Sequence, residues 1–163
     1  MAALGAWFEI DLDAIAANLK SLRDRVGPGV EIMPVIKNDA YGHGLRPIAA
    51  ALAEEGVNWF MVARTAEAFA LRDAGIPGGV VNMDALYSEG QYQDAVKQDI
   101  TQVVYTLAAA EKLNAAAESV GGKAGVFVKI DTGLRRVGVP DGEAVAFMEA
   151  LSEFANVEIR GMF

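Results

Sequence analysis

The 163-residue sequence predicts an α/β fold with a parallel sheet. Short apolar runs alternate with helical segments, and successive runs begin about two dozen residues apart, which is the length of one strand–helix unit. Hydrophobic residues make up 53% of the chain, enough for the core of one domain of ordinary size. These observations together predict parallel strands that are covered by helices.

The elements can be assigned in order from the N-terminus. Residues 7–10 (WFEI) are strand-like, and a helix is predicted from about Leu12, where apolar residues fall at helical spacing and Asp11 is placed to cap the start. The turn Gly27-Pro28-Gly29 ends this helix. The strands of the repeating units are then predicted at residues 31–36, 58–63, 79–83, 102–106, 126–131 and 157–162.

Two of the helices between these strands have clear boundaries. One is predicted after Pro47 and ends at Gly56, and the other covers residues 65–75 and ends at Gly75. Residues 81–83 (VNM) are more polar than a buried strand usually is, and no site residue is assigned there.

The regular repeat favours a closed barrel over an open sheet. No glycine-rich dinucleotide-binding fingerprint follows the first strand, which removes the usual reason to expect a doubly wound fold. A (β/α)₈ barrel needs roughly 200 residues or more, and only five βα units and a sixth strand are present. The sequence therefore predicts the N-terminal portion of such a barrel, truncated, with strand edges left unpaired.

Composition excludes several classes of function. A net charge of −8 and a pI near 4.6 argue against a nucleic-acid or anionic-membrane surface. The absence of cysteine excludes disulfides, thiolate metal sites and cysteine nucleophiles, and no metal site is predicted. The N-terminus lacks a basic signal-peptide region, and no apolar run approaches the roughly 18 residues of a membrane span. A cytoplasmic protein is expected.

Two segments carry residues suited to chemistry. Lys37 ends the first barrel-type strand, and residues 129–138 (KIDTGLRRVG) end the fifth. Functional groups lie at the C-terminal ends of strands in parallel α/β folds, and strands one and five face each other across an eight-stranded ring. An amine facing a guanidinium suits an aldehyde cofactor and a small carboxylate substrate, because the amine can form a Schiff base and the arginine can hold an anionic oxygen.

Simpler interpretations of the same residues remain open. Lys37 could extend its charge into water at a strand end, and Lys129 could pair with Asp131. Residues 131–133 (DTG) read most simply as a turn, and Tyr41 and His43 could be structural. Arg136 beside Arg135 could be a solvated basic pair.

The residues also resemble a known family. VIKNDAYGHG (35–44) is similar to the cofactor-lysine motif of alanine racemases, and KIDTGLRRVGV (129–139) resembles their second signature. WFEIDLDAIAANL resembles the opening strand and helix of that family, and GMF resembles a later strand. The resemblance therefore extends along the whole chain.

This resemblance implies a fold-type III enzyme that depends on pyridoxal 5′-phosphate and works as a homodimer. Its barrel would be followed by a β-rich domain, so that residues 1–163 are part of the N-terminal barrel domain and the C-terminal domain is absent. The implied reaction interconverts L- and D-alanine through an external aldimine and two-base proton transfer. The second base, a tyrosine from the partner subunit, has no counterpart here, and the isolated chain is expected to be inactive or weakly active.

The resemblance also assigns roles to individual residues. Lys37 would bind the cofactor covalently and move a proton, Tyr41 would contact the cofactor phosphate, and Arg136 would contact the pyridine-ring oxygen and the substrate carboxylate. Lys129 would be the lysine that carries a carbamate in some members. Arg135 departs from the family pattern, which has a small residue there. The alternatives are a non-catalytic pyridoxal phosphate protein or another fold-type III enzyme, such as a decarboxylase or a racemase of a different amino acid.

Overall fold

A computed structural model describes residues 5–163 and confirms the α/β class. The described helices are α1 (Leu12–Val26), α2 (Lys37–Gly42), α3 (Leu45–Glu54), α4 (Thr65–Asp73), α5 (Glu89–Lys97), α6 (Leu107–Val120) and α7 (Ala144–Ser152), with a 3₁₀ turn at Asp141–Glu143. The strands are β1 (Trp59–Val62), β2 (Gly79–Asn82), β3 (Ile100–Val104), β4 (Ala124–Val128), β5 (Ile130–Asp131), β6 (Val139–Pro140) and β7 (Val157–Met162).

The main sheet consists of five strands within residues 5–163, in the order β1-β2-β3-β4-β7. Every neighbouring pair is parallel, and α4, α5, α6 and α7 lie in the connections between the strands. Parallel strands joined by single helices are the βα units of the predicted barrel. The N-terminal portion of that barrel is therefore confirmed.

The predicted first barrel strand, residues 31–36, is the main correction. This segment runs beside β1 but makes only one isolated bridge, between Val35 and Met61. Pro34 contributes its carbonyl to the amide of Met61, but it has no N–H with which to extend a ladder. Residues 7–10 are likewise without a strand, so that the prediction of a strand at WFEI is wrong.

The helix predictions are confirmed with small shifts at the ends. α1 begins at Leu12, and its N-cap Asp11 accepts a hydrogen bond from the amide of Ala14 at 2.9 Å. α3 begins at Leu45, two residues before Pro47. Proline is tolerated at this place because the N–H groups in the first turn of a helix have no intrahelical acceptor, so that the lack of one costs nothing.

Alternate strand residues build two apolar layers. Phe60 and Val62 of β1 belong to the large core that packs under the helices. Met61 points to the other face, where it joins Val81 and Val103 in a second cluster. In a barrel the first layer lies between sheet and helices, and the second fills the interior. The carboxyl ends of the strands thus share one edge of the sheet, where side chains from several connections can meet.

A two-stranded ribbon follows β4 at this edge. β5 and β6 pair in parallel and flank the loop that contains the second sequence motif. Gly138 lets the ribbon close, because a Cβ on this residue would lie 2.7 Å from the backbone nitrogen of Asp131. The motif loop is therefore held next to the end of β4.

Candidate functional site

A cavity of about 460 Å³ lies at the carboxyl ends of the strands and contains three of the predicted site residues. Lys37 reaches it from the start of α2, Lys129 from the end of β4, and Arg136 from the β5–β6 loop. The other residues that line it are Ala63, Arg64, Met83, Asp84, Ala85, Tyr87, Val103, Tyr105, Val137 and Phe163. The structure thus brings together two motifs that are about 90 residues apart in sequence.

The cavity is cationic although the chain is acidic. Lys37, Arg64, Lys129 and Arg136 line it together with a single acidic residue, Asp84. The whole chain carries a net charge of −8. A local cluster of like charge in a concave surface concentrates ions of the opposite sign. The cavity is therefore suited to a small anionic ligand.

The backbone after Lys37 has an unusual conformation. Residues 38–41 have φ between 52° and 55°, the left-handed region, and none of them is glycine. Each non-glycine residue in this region costs roughly 1–2 kcal/mol, although asparagine and aspartate tolerate it better. The sequence suggested only a small-residue loop here. Strain of this kind persists where surrounding contacts fix it, and it is often found at functional sites.

Asp39 anchors this left-handed turn. Its carbonyl accepts a hydrogen bond from the amide of Gly44 at 2.9 Å, and its carboxylate accepts one from the amide of Leu45 at 2.6 Å. Its own amide donates to the carboxylate of Glu67 at 3.1 Å. The turn that begins at Lys37 is thereby tied both to α3 and to α4.

Lys129 is half-buried and makes two contacts at the cavity. Its amine donates to the carbonyl of Ile130 at 2.7 Å and lies 5.2 Å from the centroid of the Phe163 ring. These contacts hold the end of the Lys129 side chain between the backbone of β5 and the ring of Phe163.

Asp131, the ion-pair partner that the sequence offers for Lys129, bonds to backbone amides instead. Its carboxylate accepts hydrogen bonds from the amides of Arg135 and Gly133, both at 3.0 Å. These backbone bonds, with a smaller contribution from the charge of Lys129, hold the pKa of Asp131 below its ordinary value. Asp131 ends β5, and its carboxylate fixes the bend at residues 132–133, which is consistent with the simpler interpretation of this segment.

Tyr41 and His43 lie outside the set of residues that line the cavity. The side chain of Tyr41 is 60% exposed. His43 places its Nδ1 atom 2.9 Å from the carbonyl of Ala40, which gives it a local structural contact. A role for Tyr41 at a cofactor phosphate stays a prediction.

Several cavity residues were not singled out from the sequence. Arg64, Asp84 and Tyr105 each follow a strand directly or within two residues, so that a scan of all strand ends could have found them. In the sequence, Phe163 stands out only as the last residue of the GMF segment. Glu67 does not line the cavity, and a lone helical glutamate carries no signal that would predict a contact with the Lys37 turn.

The fold and the cavity define a class of protein: a (β/α)-barrel protein with a lysine and an arginine at the carboxyl ends of its strands. A model of the family described as alanine racemase, N-terminal domain, matches residues 10–163, and the chain belongs to this family. Among the helices of residues 5–163, none combines the length and the hydrophobicity that crossing a bilayer requires.

Individual relatives agree with this assignment. The chain is 37% identical over 158 residues to an alanine racemase of Desulforamulus reducens and 35% identical over 158 residues to one of Methanococcus maripaludis; it covers 42% of each of those proteins. The solved structure of the alanine racemase of Clostridium difficile in complex with cycloserine superposes with a TM-score of 0.92 at 37% identity. That superposition covers 100% of this chain and 45% of the other. The chain thus spans about two-fifths of the length of these relatives.

Proposed function

We propose that this chain provides the lysine-bearing part of the active site of a pyridoxal phosphate-dependent alanine racemase. The observation that carries the proposal is the convergence of Lys37, Lys129 and Arg136 on one cavity at the carboxyl ends of the strands. The family assignment and the names of the relatives support the reaction. The complete enzyme would be a cytoplasmic homodimer that interconverts L- and D-alanine.

The residues present fit the proposed cofactor. A volume of about 460 Å³ is within the usual size of small-molecule sites, and the cavity combines a primary amine with an excess of cationic side chains. An amine can bond covalently to an aldehyde, and guanidinium groups bind anionic oxygens. When bound, the cofactor would supply an electron-accepting ring that stabilises negative charge at the α-carbon of an amino acid.

Each residue would then have a distinct task. Lys37 would hold the cofactor and move the α-proton on one face of the substrate, as a general base must lie within hydrogen-bond reach of that proton. Arg136 would bind the ring oxygen and orient the substrate carboxylate. Tyr41 would contact the phosphate, which requires its exposed side chain to turn toward the cofactor. Lys129 would brace Arg136 if its amine carried a carbamate.

A second base is needed for racemisation, because the proton must return from the opposite face. We propose that this base belongs to the part of the racemase that lies outside the two-fifths spanned by this chain. The chain by itself would therefore bind the cofactor but turn over alanine slowly or not at all.

Borohydride reduction after incubation with pyridoxal phosphate tests the proposal, with peptide mapping of the modified lysines. We expect selective modification of Lys37, which is abolished in Lys37→Arg and retained in the matched control Lys112→Arg, a change at an exposed lysine of α6. Modification spread evenly over the lysines, or a total amount of modification that is the same in Lys37→Arg as in the parent, would contradict a cofactor site built around Lys37.

A further inference from the structure

One carboxylate, that of Glu67, accepts hydrogen bonds from three backbone amides. Its Oε2 atom accepts from Ala63 at 3.3 Å and from Arg64 at 3.1 Å, and its Oε1 atom accepts from Asp39 at 3.1 Å. The bond from Arg64 is the ordinary cap of α4, because Glu67 is the third residue of that helix. The bond from Asp39 goes beyond a local cap, since it joins segments 28 residues apart.

These three amides belong to the two segments that enclose the cavity around Lys37. Asp39 lies inside the left-handed turn that follows Lys37, whereas Ala63 and Arg64 line the cavity after β1. The Glu67 carboxylate therefore ties the lysine-bearing turn to the adjoining wall of the cavity after β1. A turn of four non-glycine residues with positive φ requires such external contacts to keep its conformation.

We propose that Glu67 is a positioning residue that holds the left-handed turn in place and so sets the direction in which Lys37 presents its amine to the cavity. This inference rests on the proposed function, in which Lys37 binds the cofactor. Glu67 acts through the backbone and does not itself line the cavity.

A carboxylate is the group that this position requires. An ionised carboxylate only accepts hydrogen bonds, so that both of its oxygens can face amide donors. A glutamine has one accepting oxygen, and its NH₂ group would face at least one backbone N–H. An aspartate keeps the negative charge that favours the start of α4, but it is one methylene shorter and cannot reach both segments.

Hydrogen exchange in the absence of cofactor tests the contact itself. We expect the amide of Asp39 to exchange about tenfold faster in Glu67→Ala and in Glu67→Asp, because loss of one hydrogen bond to a charged group corresponds to a ratio of about this size. In Glu67→Gln the exchange rate should rise less. Glu111→Ala, a change at an exposed glutamate of α6, serves as the matched control and should leave this amide unchanged. Unaltered exchange at Asp39 in Glu67→Asp would overturn the inference, whatever happens to the proposed function.

Borohydride trapping with pyridoxal phosphate tests the consequence for Lys37. In Glu67→Asp we expect the labelling of Lys37 relative to Lys20 to fall about tenfold, because only a fraction of molecules then presents the amine correctly. Glu67→Gln should restore part of the ratio. Equal ratios in the parent, Glu67→Asp and Glu67→Gln would overturn the positioning role and leave Glu67 as a helix cap. Absence of Lys37 labelling in the parent would instead overturn the proposed function, while the exchange experiment still decides on the contact.

Discussion

Arg136 lines the cationic cavity, whereas its neighbour Arg135 does not and instead has a left-handed backbone with φ of 55°. The amide of Arg135 donates to the carboxylate of Asp131, which fixes the turn that presents Arg136. Of the two adjacent guanidinium groups, the structure thus places one at the candidate site. Arg135 contributes a constrained backbone at that turn.

The left-handed conformation predicts that two substitutions at position 135 differ in their effect on stability. Arg135→Gly should change the free energy of unfolding by less than about 1 kcal/mol, because relief of the left-handed penalty offsets the greater chain entropy of glycine. Arg135→Val should lower it by more than about 1 kcal/mol, since a β-branched residue strongly disfavours positive φ. Urea unfolding of both variants measures the difference, and equal stabilities would contradict a left-handed residue at this position.

The cavity position of Arg136 predicts a functional difference between the two arginines. Arg136→Ala should raise the pyridoxal phosphate concentration for half-maximal labelling of Lys37 about tenfold or more, the expected loss for one hydrogen bond to a charged oxygen. Arg135→Ala is the matched control, because it removes the same charge one residue away, and it should have a much smaller effect. If the two variants weaken labelling equally, general electrostatic attraction rather than a direct contact explains the role of Arg136.

The turn at Asp131 predicts a local dependence on pH. The backbone bonds from Arg135 and Gly133 depress the pKa of Asp131 below its ordinary value of 3.8, so that the ionised carboxylate stabilises the folded turn. This contribution is complete above the pKa of the unfolded state and is lost as the pH falls through the lower pKa of the folded state. Carboxyl NMR titration should give a midpoint below 3.8 for Asp131.

The amides at this turn provide an independent check of the same titration. The chemical shifts of the Gly133 and Arg135 amides should change with the Asp131 midpoint in the parent. In Asp131→Asn these shifts should stay constant, because the amide keeps an accepting oxygen but does not titrate. Amide shifts that titrate identically in Asp131→Asn would show that another group controls this turn.

The contact between Lys129 and Phe163 predicts that the aromatic ring opposes carbamylation. The ring face attracts the ammonium group at 5.2 Å and would repel the negative charge of a carbamate. Phe163→Leu should therefore increase the fraction of Lys129 that carries a carbamate. Carbon-13 NMR in labelled bicarbonate measures this fraction, with Lys129→Arg as the blank. A lower fraction in Phe163→Leu would mean that the ring packs against the carbamate rather than the ammonium.

The sequence predicts the repeating βα architecture well but the local geometry of the site less well. Each strand and each helix buries its apolar residues in a shared core, so that these residues recur along the sequence with the period of the element. For this reason five of the six predicted barrel strands are present in the sheet. The strand predicted at 31–36 does not form because Pro34 interrupts the hydrogen-bond ladder between this segment and β1. The left-handed turn after Lys37 depends on tertiary contacts such as that of Glu67, which no local pattern encodes.

The same limit applies to the polar residues of the inner strands. The sequence showed only that residues 81–83 are unusually polar for a buried strand. The structure shows why Asn82 is tolerated there: its amide donates to the side chain of Gln102 at 2.9 Å, one strand away. Cross-strand pairing depends on register, and the register between β2 and β3 is fixed by the whole sheet rather than by either segment alone.

Asn82 and Gln102 predict a non-additive effect on stability. Asn82 is 0% and Gln102 3% exposed, and both donate to the carbonyl of Asp84, which lies in the loop that lines the cavity. Asn82→Leu or Gln102→Met alone should cost about 1–3 kcal/mol, because Asn82→Leu leaves the buried Oε1 atom of Gln102 without its donor and Gln102→Met removes one acceptor of the buried Nδ2 group of Asn82. The cost of the double variant should differ from the sum of the two, since the Asn82–Gln102 bond is already lost in each single variant whereas the carbonyl of Asp84 loses both donors only in the double.

Urea unfolding of the four proteins in this cycle measures the coupling between the two side chains. A coupling energy of more than about 0.5 kcal/mol is expected for residues in direct hydrogen-bonded contact. Gln93→Met provides a matched control, because Gln93 bonds Ser119 across α5 and α6 and not the loop at Asp84. Combined with Asn82→Leu, Gln93→Met should give an additive result. Additivity in the Asn82–Gln102 cycle as well would mean that each side chain is satisfied independently, and that the pair does not act as one unit under the cavity loop.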